Sequence, residues 1–280
     1  MAFDTLLARV GLGKSRPLVN VLRLAGPIGQ VGAFRNGLTL ASLAGLIEQA
    51  FRPKDLKAVA LAINSPGGSP VQSALIHRRI RALAKEKGVP VFSFCEDVAA
   101  SGGYWLACAG DEIYADESSI LGSIGVISAG FGFHEAIGRI GVERRVYTQG
   151  TRKGLLDPFR PEDPDDVARI VALQADIFES FKDLVRTRRN GHLKAPEEEL
   201  FTGDIWAGKR ALELGLIDGL GDMRSVMRER FGDKVRLNLI GERKGWLRRR
   251  FGMTAPEPAQ IAAEMLSAVE ERALWGRYGL

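Results

Sequence analysis

Cysteine and histidine are scarce in this chain of 280 residues, which contains two cysteines and three histidines. Cys95 and Cys108 form neither a C-x-x-C pair nor another spacing typical of metal ligands, and both lie in apolar surroundings. This pattern excludes a disulfide-stapled scaffold and predicts that both thiols are small core side chains.

Long hydrophobic runs are also absent, since no stretch approaches the ~20 apolar residues needed to span a bilayer. The amino terminus lacks the basic segment and apolar run of a secretory signal peptide. Residues 1–16 instead predict a short amphipathic segment, with Phe3, Leu6, Leu7 and Val10 on one side. We therefore expect a protein of the cytoplasm or one that lies peripherally on a membrane.

The charge balance is only mildly basic, with a formal net charge of +5 and a pI near 9.3. Such a small excess leaves the class of partner open. Basic and aromatic residues alternate at 242–251, and a break follows before a helix predicted at 258–275. We interpret 241–280 as an appendage whose basic part is a solvated linker or contacts anionic headgroups. Nucleic acid is not the expected partner.

Strand-like and helix-like stretches alternate through the region 17–240, which predicts one α/β domain with βαβ units and parallel sheets. Strands are predicted at 17–24, 56–63, 89–96 and 234–240. Helices are predicted at 39–52, 69–88, 134–140, 161–190 and 205–221.

The segment AASGGYW places Ser101 before two glycines, which are poor residues for starting a helix. A sharp strand-to-helix turn that exposes a hydroxyl explains this choice, and an ordinary loop is the alternative. A serine nucleophile also needs a base. We expect His77 to face solvent, because it stands beside two arginines on an amphipathic helix, and His192 lies in a polar loop. A Ser-His-Asp triad therefore has little support.

Lysine is the other base that can activate a serine. Its usual pKa is near 10.4, so the amine must lose water before it can accept a proton at neutral pH. Lys153, in GTRKGLLDPF, is the least surface-like lysine of the chain, although a solvated loop lysine remains the simpler interpretation.

Backbone N–H donors for an oxyanion could come from INSPGG, which ends at Gly68, and from Gly102 at the first turn of the next helix. A Pro-Gly-Gly turn between strand and helix is also common without any such role.

Taken together, five segments in order resemble the signal peptide peptidase A family of Ser-Lys serine proteases, peptidase family S49, which has the caseinolytic-protease/crotonase-like fold. They are INSPGG (63–68), AASGGYW (99–105), LGSIGVI (121–127), GTRKGLLDPF (150–159) and TGDIWAGKRALELGLIDGLG (202–221).

The resemblance implies a role for each matching position. Ser101 would be the nucleophile, Lys153 the general base and Ser123 the residue that orients the lysine amine. Gly68 and Gly102 would supply the oxyanion-hole amides. Neither a metal nor another cofactor is implied.

The resemblance also implies hydrophobic peptide substrates, such as signal peptides left in the membrane, and a homo-oligomeric ring or dome. This chain departs from many relatives because no spanning helix precedes the first core strand. Three alternatives stay open: a crotonase-type acyl-CoA enzyme, a catalytically silent scaffold, and a related Ser-Lys protease for another membrane protein or a phage capsid precursor.

Overall fold

The computed structural model describes residues 16–31, 35–150, 152–241 and 272–279. The chain divides into two compact units, one formed by Met1–Ile124 with Leu184–Leu280 and the other by Gly125–Asp183. Residues 1–15 and 242–271 fall outside the description, so the amphipathic segment, the basic linker and most of the last predicted helix stay predictions.

All strands in the described part of the chain belong to the first unit. In chain order they are β1 (Leu18–Ala25), β2 (Gln30–Val31), β3 (Arg35–Asn36), β4 (Leu56–Ser65), β5 (Val91–Ala100), β6 (Glu112–Ala115), β7 (Ile120–Gly122), β8 (Ile205–Ala207), β9 (Gly219–Leu220) and β10 (Arg236–Leu239).

The helices that connect these elements are also numbered in chain order. They are α1 (Leu40–Ala50), α2 (Pro70–Lys87), α3 (Gly102–Ala107), α4 (His134–Arg139), α5 (Pro164–Arg188), α6 (Glu197–Leu200), α7 (Gly208–Glu213) and α8 (Met223–Phe231). None of these described helices combines the length and the hydrophobicity that crossing a bilayer requires.

The main sheet of the first unit runs in the order β10-β1-β4-β5-β6-β9, and neighbouring strands in this order are parallel. Central strand β4 is a nearly continuous apolar run, LKAVALAINS, and is buried along most of its length. Such a run is typical of a parallel strand with both faces covered. The predicted α/β fold with a parallel sheet is confirmed.

Helix α2 begins and ends at residues that favour helix ends. The Ser69 side chain accepts a hydrogen bond from the Gln72 N–H, Pro70 occupies the first turn, and Gly88 ends the helix in the left-handed conformation. Each of these residues suits its position because of its own backbone preference.

The prediction of one helix at 205–221 is wrong. The segment begins as strand β8, which pairs antiparallel with β7, continues as the short helix α7 and ends as strand β9. Buried Arg189 donates to the Gly215 carbonyl and forms an ion pair with Asp218 at 2.7 Å. These long-range contacts hold 215–218 in a non-helical turn, although the apolar residues have helical spacing.

Strand β5 changes its neighbour partway along its length. Its first part, Phe92 to Cys95, pairs with β6, whereas Val98 to Ala100 pairs with β7. The register between β4 and β5 also shifts at this point. The end of β5 is therefore redirected toward β7, and Ser101 is the next residue.

The second unit, Gly125–Asp183, contains α4 and most of α5 and has little core of its own. No described residue between 125 and 180 is buried. Eleven of the fourteen exposed large hydrophobic residues of the described chain belong to this unit, among them Phe131 and Tyr147. Such a concentration of apolar surface is typical of an interface.

Candidate active site

Ser101 has an unusual backbone conformation at the junction of β5 and α3. Its φ of 52° lies in the left-handed region, and among the described non-glycine residues only Ser123 and Leu156 share a positive φ. Such a conformation costs on the order of 1–3 kcal/mol and tends to cluster at functional sites. Two of the three strained residues are the serines that the sequence singled out.

Ser101 and Ser123 follow directly opposed positions on neighbouring parallel strands. Ala100 of β5 pairs with Gly122 of β7, and the Ser101 N–H donates to the Gly122 carbonyl at 2.8 Å. The Ser123 N–H donates to the Asp204 carbonyl at 2.6 Å, which fixes the turn after β7. Within the first unit neither serine hydroxyl makes a hydrogen bond, so both remain available.

The two glycines of INSPGG pack against other main-chain segments, and Gly67 lies against Ser101. A Cβ added to Gly67 would stand 2.8 Å from the Ser101 Cβ, so only glycine allows this approach. Gly68 has a φ of 140°, and a Cβ there would collide with the Ile28 carbonyl oxygen. Gly67 is thus buried against the serine, while Gly68 is exposed.

The amides of Gly68 and Gly102 lie close to one another. The position of a Cβ on Gly102 is 3.3 Å from the Gly68 amide nitrogen and 2.6 Å from the Ser73 Oγ. Within the described part of the chain neither amide donates to an acceptor. A pair of free N–H groups beside a strained serine is the arrangement that stabilises a tetrahedral oxyanion.

Ile28 lies beside the candidate site, although no sequence motif pointed to it. Its N–H donates to the Gly67 carbonyl and its carbonyl accepts from the Ser69 N–H, each at 2.8 Å, so Ile28 brackets Gly68. Its Cδ1 lies 3.1 Å from the Cβ position of Gly102. The only sequence signal was one apolar residue inside GPIG, which resembles an ordinary turn.

Side-chain hydrogen bonds hold helix α3 at its middle and beyond its last turn. Tyr104 is fully buried and its hydroxyl donates to the Leu216 carbonyl at 2.7 Å. Beyond the last turn, Arg188 donates to the carbonyls of Cys108 and Gly110, and Arg81 donates to that of Ala109. Cationic groups at a helix carboxyl end are favourable.

The prediction that His77 faces solvent is wrong, because the side chain is only 6% exposed. Its Nε2 lies 3.3 Å from the Cys108 carbonyl oxygen, past the end of α3 that is remote from Ser101. Burial lowers the pKa of His77 to about 4, and the arginines nearby act in the same direction. An inward-facing position on α2 explains the burial.

His192 stands apart from Ser101 as well. Its Nδ1 is 3.0 Å from the Asp218 Oδ1, and the Asp218 N–H donates to the Ile113 carbonyl near the beginning of β6. Ser101 follows the carboxyl end of β5, whereas Ile113 lies near the amino end of the parallel strand β6. The two sites are therefore at opposite ends of the parallel strands. Neither histidine of the first unit can therefore serve as its base.

The cysteine prediction is confirmed, since Cys95 and Cys108 are both buried and free. Burial raises the pKa of both thiols, in the case of Cys108 to about 12, so neither is a reactive nucleophile. The described residues contain no cluster of three or more acidic, histidine or cysteine side chains that could hold a metal ion.

Lys153 belongs to the second unit, where it is exposed in a turn. Four residues further on, the Asp157 carboxylate forms an ion pair with Arg144 at 2.9 Å. The Arg144 guanidinium in turn lies over the Phe159 ring, 4.7 Å from its centroid. The Asp-Pro-Phe sequence after the lysine therefore anchors this turn within the second unit.

Comparison with known proteins identifies the family. The model of peptidase family S49 matches residues 83–234, which include Ser101, Ser123 and Lys153. A Brucella abortus protein named Na(+)/H(+) antiporter NhaA is 55% identical over 272 residues, which are 94% of this chain and 37% of that protein. The chloroplastic serine protease SPPA of Arabidopsis thaliana is 31% identical over 76% of this chain and 32% of its own.

The chain thus spans about a third of the length of these two relatives. Among solved structures, the 1510-N membrane-bound stomatin-specific protease aligns with a TM-score of 0.51 and 16% identity, over 81% of this chain and 99% of that one. This likeness confirms the predicted caseinolytic-protease/crotonase-like fold. The chain belongs to peptidase family S49.

Proposed function

We propose that the protein is a serine endopeptidase that uses a Ser-Lys dyad. The single observation that carries this proposal is the strained Ser101 beside the free amides of Gly68 and Gly102. Membership of peptidase family S49 supports the same reaction class.

In the proposed reaction, the Ser101 Oγ forms a bond to the carbonyl carbon of a peptide while Lys153, as the neutral amine, takes the hydroxyl proton. The carbonyl oxygen becomes an oxyanion that accepts hydrogen bonds from Gly68 and Gly102. The C–N bond then breaks, and the protonated lysine returns its proton to the leaving amine. Water hydrolyses the acyl-enzyme by the same route.

Ser123 is the proposed orienting residue for the lysine. Its backbone is fixed by Gly122 and Asp204, while its hydroxyl has no partner within the first unit. A hydroxyl held in this way can accept a hydrogen bond from the amine and direct its lone pair.

We propose that a second copy covers the apolar surface of the second unit, as in a ring or dome. The exposed hydrophobic residues of 125–180 support this, because no described residue of the segment is buried in the single chain. Enclosure would also remove water from Lys153, and desolvation favours the neutral form of a lysine.

Hydrophobic peptides, including remnant signal peptides, are the proposed substrates. The name of the Arabidopsis relative supports proteolysis, and the proposal of peptide substrates follows from the family. A protease for another membrane protein or for a phage capsid precursor would use the same chemistry. A crotonase-type acyl-CoA enzyme would also use paired amides, but it would have no use for the strained serine.

An assay with a fluorogenic apolar peptide tests the proposal. Ser101→Ala and Lys153→Ala should both abolish hydrolysis without changing the circular dichroism spectrum. Ser118→Ala, which changes an exposed serine outside the site, is the matched control and should keep full activity. Full activity of either site variant at neutral pH would refute the dyad.

A further inference from the structure

We propose that Asn64 is a positioning residue that holds the end of β5 in the direction that places Ser101 beside Ser123. The inference rests on the proposed function and adds to it a residue that does not touch the reacting atoms. Asn64 stands in β4, next to the point where β5 changes its neighbour.

The change of neighbour coincides with a bulge in β5. Ile63 pairs with Cys95, yet Ser65, two positions later, pairs with Ala99, so β5 carries two more residues than β4 across this interval. Bulges of this kind bend a strand and redirect the residues that follow. Here the bulge separates the part of β5 that pairs with β6 from the part that pairs with β7.

The Asn64 carboxamide binds the bulge with both of its ends. Its Oδ1 accepts from the Val98 N–H at 3.2 Å, and its Nδ2 donates to the Asp97 Oδ2 at 2.6 Å. Its main-chain carbonyl also accepts from the Gly26 N–H at 2.9 Å, in the turn that leads to Ile28. One residue therefore links the bulge to the loop that brackets Gly68.

These two contacts require a carboxamide side chain at position 64. The Val98 N–H needs an acceptor and the Asp97 carboxylate needs a donor, and asparagine supplies one of each. An aspartate at position 64 could still accept from the Val98 N–H, but its carboxylate would face that of Asp97. The β5 end would then shift, together with Ser101 three positions beyond Val98.

The test is a swap of the two side chains. Asn64→Asp should lower kcat by about 10- to 100-fold with KM within about threefold, because a displacement of about 1 Å can cost that much. Asp97→Asn should stay near the wild-type rate, since an asparagine there still offers an acceptor. The double variant Asn64→Asp with Asp97→Asn restores one donor and one acceptor and should recover kcat to within about threefold.

Two controls separate positioning from general damage. Asn190→Asp changes an exposed turn asparagine just after α5 and should leave kcat unchanged. Asn64→Ala should lower kcat and should gain nothing from Asp97→Asn. The inference is overturned if Asn64→Asp keeps the wild-type kcat, or if the double variant is as impaired as Asn64→Asp alone.

Hydrogen exchange keeps this test distinct from that of the proposed function. Amides 98–101 should exchange faster in Asn64→Asp and return to the wild-type rate in the double variant, whether or not the protein cleaves peptides. A wild-type protein without peptidase activity would defeat the proposed function alone. Unchanged exchange in Asn64→Asp would defeat the positioning role alone.

Discussion

The Ser101 N–H donates to the carbonyl oxygen of Gly122 at 2.8 Å, which ties the two strained serines of the site together through one main-chain contact. Ser123 is the next residue after Gly122, so any movement of the β7 end is passed to both. A side chain at position 122 is excluded because its Cβ would stand 2.5 Å from the Trp206 ring. The relative placement of the serines is thus determined by strand pairing.

Ser123→Ala should lower kcat without removing activity. The change deletes the proposed hydrogen bond to the lysine amine, and such a bond contributes about 1–3 kcal/mol when buried, which corresponds to roughly 5- to 150-fold in rate. Steady-state kinetics on an apolar peptide measure it. A loss as large as that of Ser101→Ala would mean that Ser123 does more than orient the base.

Gly102→Ala should impair catalysis more than folding. The new methyl group would stand 2.6 Å from the Ser73 Oγ and 3.1 Å from the Ile28 Cδ1, so the amide that meets the oxyanion must shift. Losing one oxyanion donor costs about 100- to 1,000-fold in kcat. The matched control is Gly45→Ala in α1, where a Cβ meets nothing within 4 Å. Equal kinetics for the two variants would contradict the assignment.

His77 should make stability depend on pH. Its pKa is lowered to about 4 by burial, with smaller effects of Arg188, Arg81 and Arg78, whereas the unfolded value is near 6.5. The unfolded state therefore binds more protons than the folded state between these pH values. The contribution of His77 to the free energy of unfolding is complete above pH 6.5 and is lost as pH falls toward 4. Its size is about 3 kcal/mol.

Urea unfolding of wild type and His77→Gln at pH 7 and pH 4.5 measures this contribution. Glutamine can still donate to the Cys108 carbonyl but does not titrate in this range. We expect wild type to lose more stability than the variant on acidification. Parallel losses would show that His77 does not carry the effect.

A charged residue on the apolar surface of the second unit should break the assembly. Tyr147, 91% exposed in the single chain, is the first choice, and Tyr147→Asp should give a smaller species and a lower peptidase rate. Val71→Asp, at a residue that is 64% exposed on α2 in the first unit, is the control. Light scattering after size exclusion reports the mass. An unchanged mass for Tyr147→Asp would argue against this interface.

Much of this architecture could be predicted from local sequence. The buried run of β4, the capped ends of α2 and the two glycines after Ser101 each depend on neighbours in the chain. A strand-to-helix turn at Ser101 was one of two interpretations of Gly102 and Gly103, the other being an ordinary loop, and the structure shows the turn.

The rest depends on contacts between distant segments. Asn64 meets Val98 and Asp97 across more than thirty positions, and Ile28 meets Gly67 across almost forty. His77 looked solvent-facing because Arg78 and Arg79 follow it, yet the helix turns it toward Cys108. No local pattern distinguishes such residues from ordinary strand, turn or surface positions.

The most direct test of the account is to trap the acyl-enzyme. The protein is incubated with an activated apolar peptide ester, quenched in acid and mapped by mass spectrometry. We predict a single acyl adduct on Ser101, absent from Ser101→Ala and formed far more slowly in Lys153→Ala. An adduct on another residue, or equal labelling of Ser101 in the lysine variant, would contradict it.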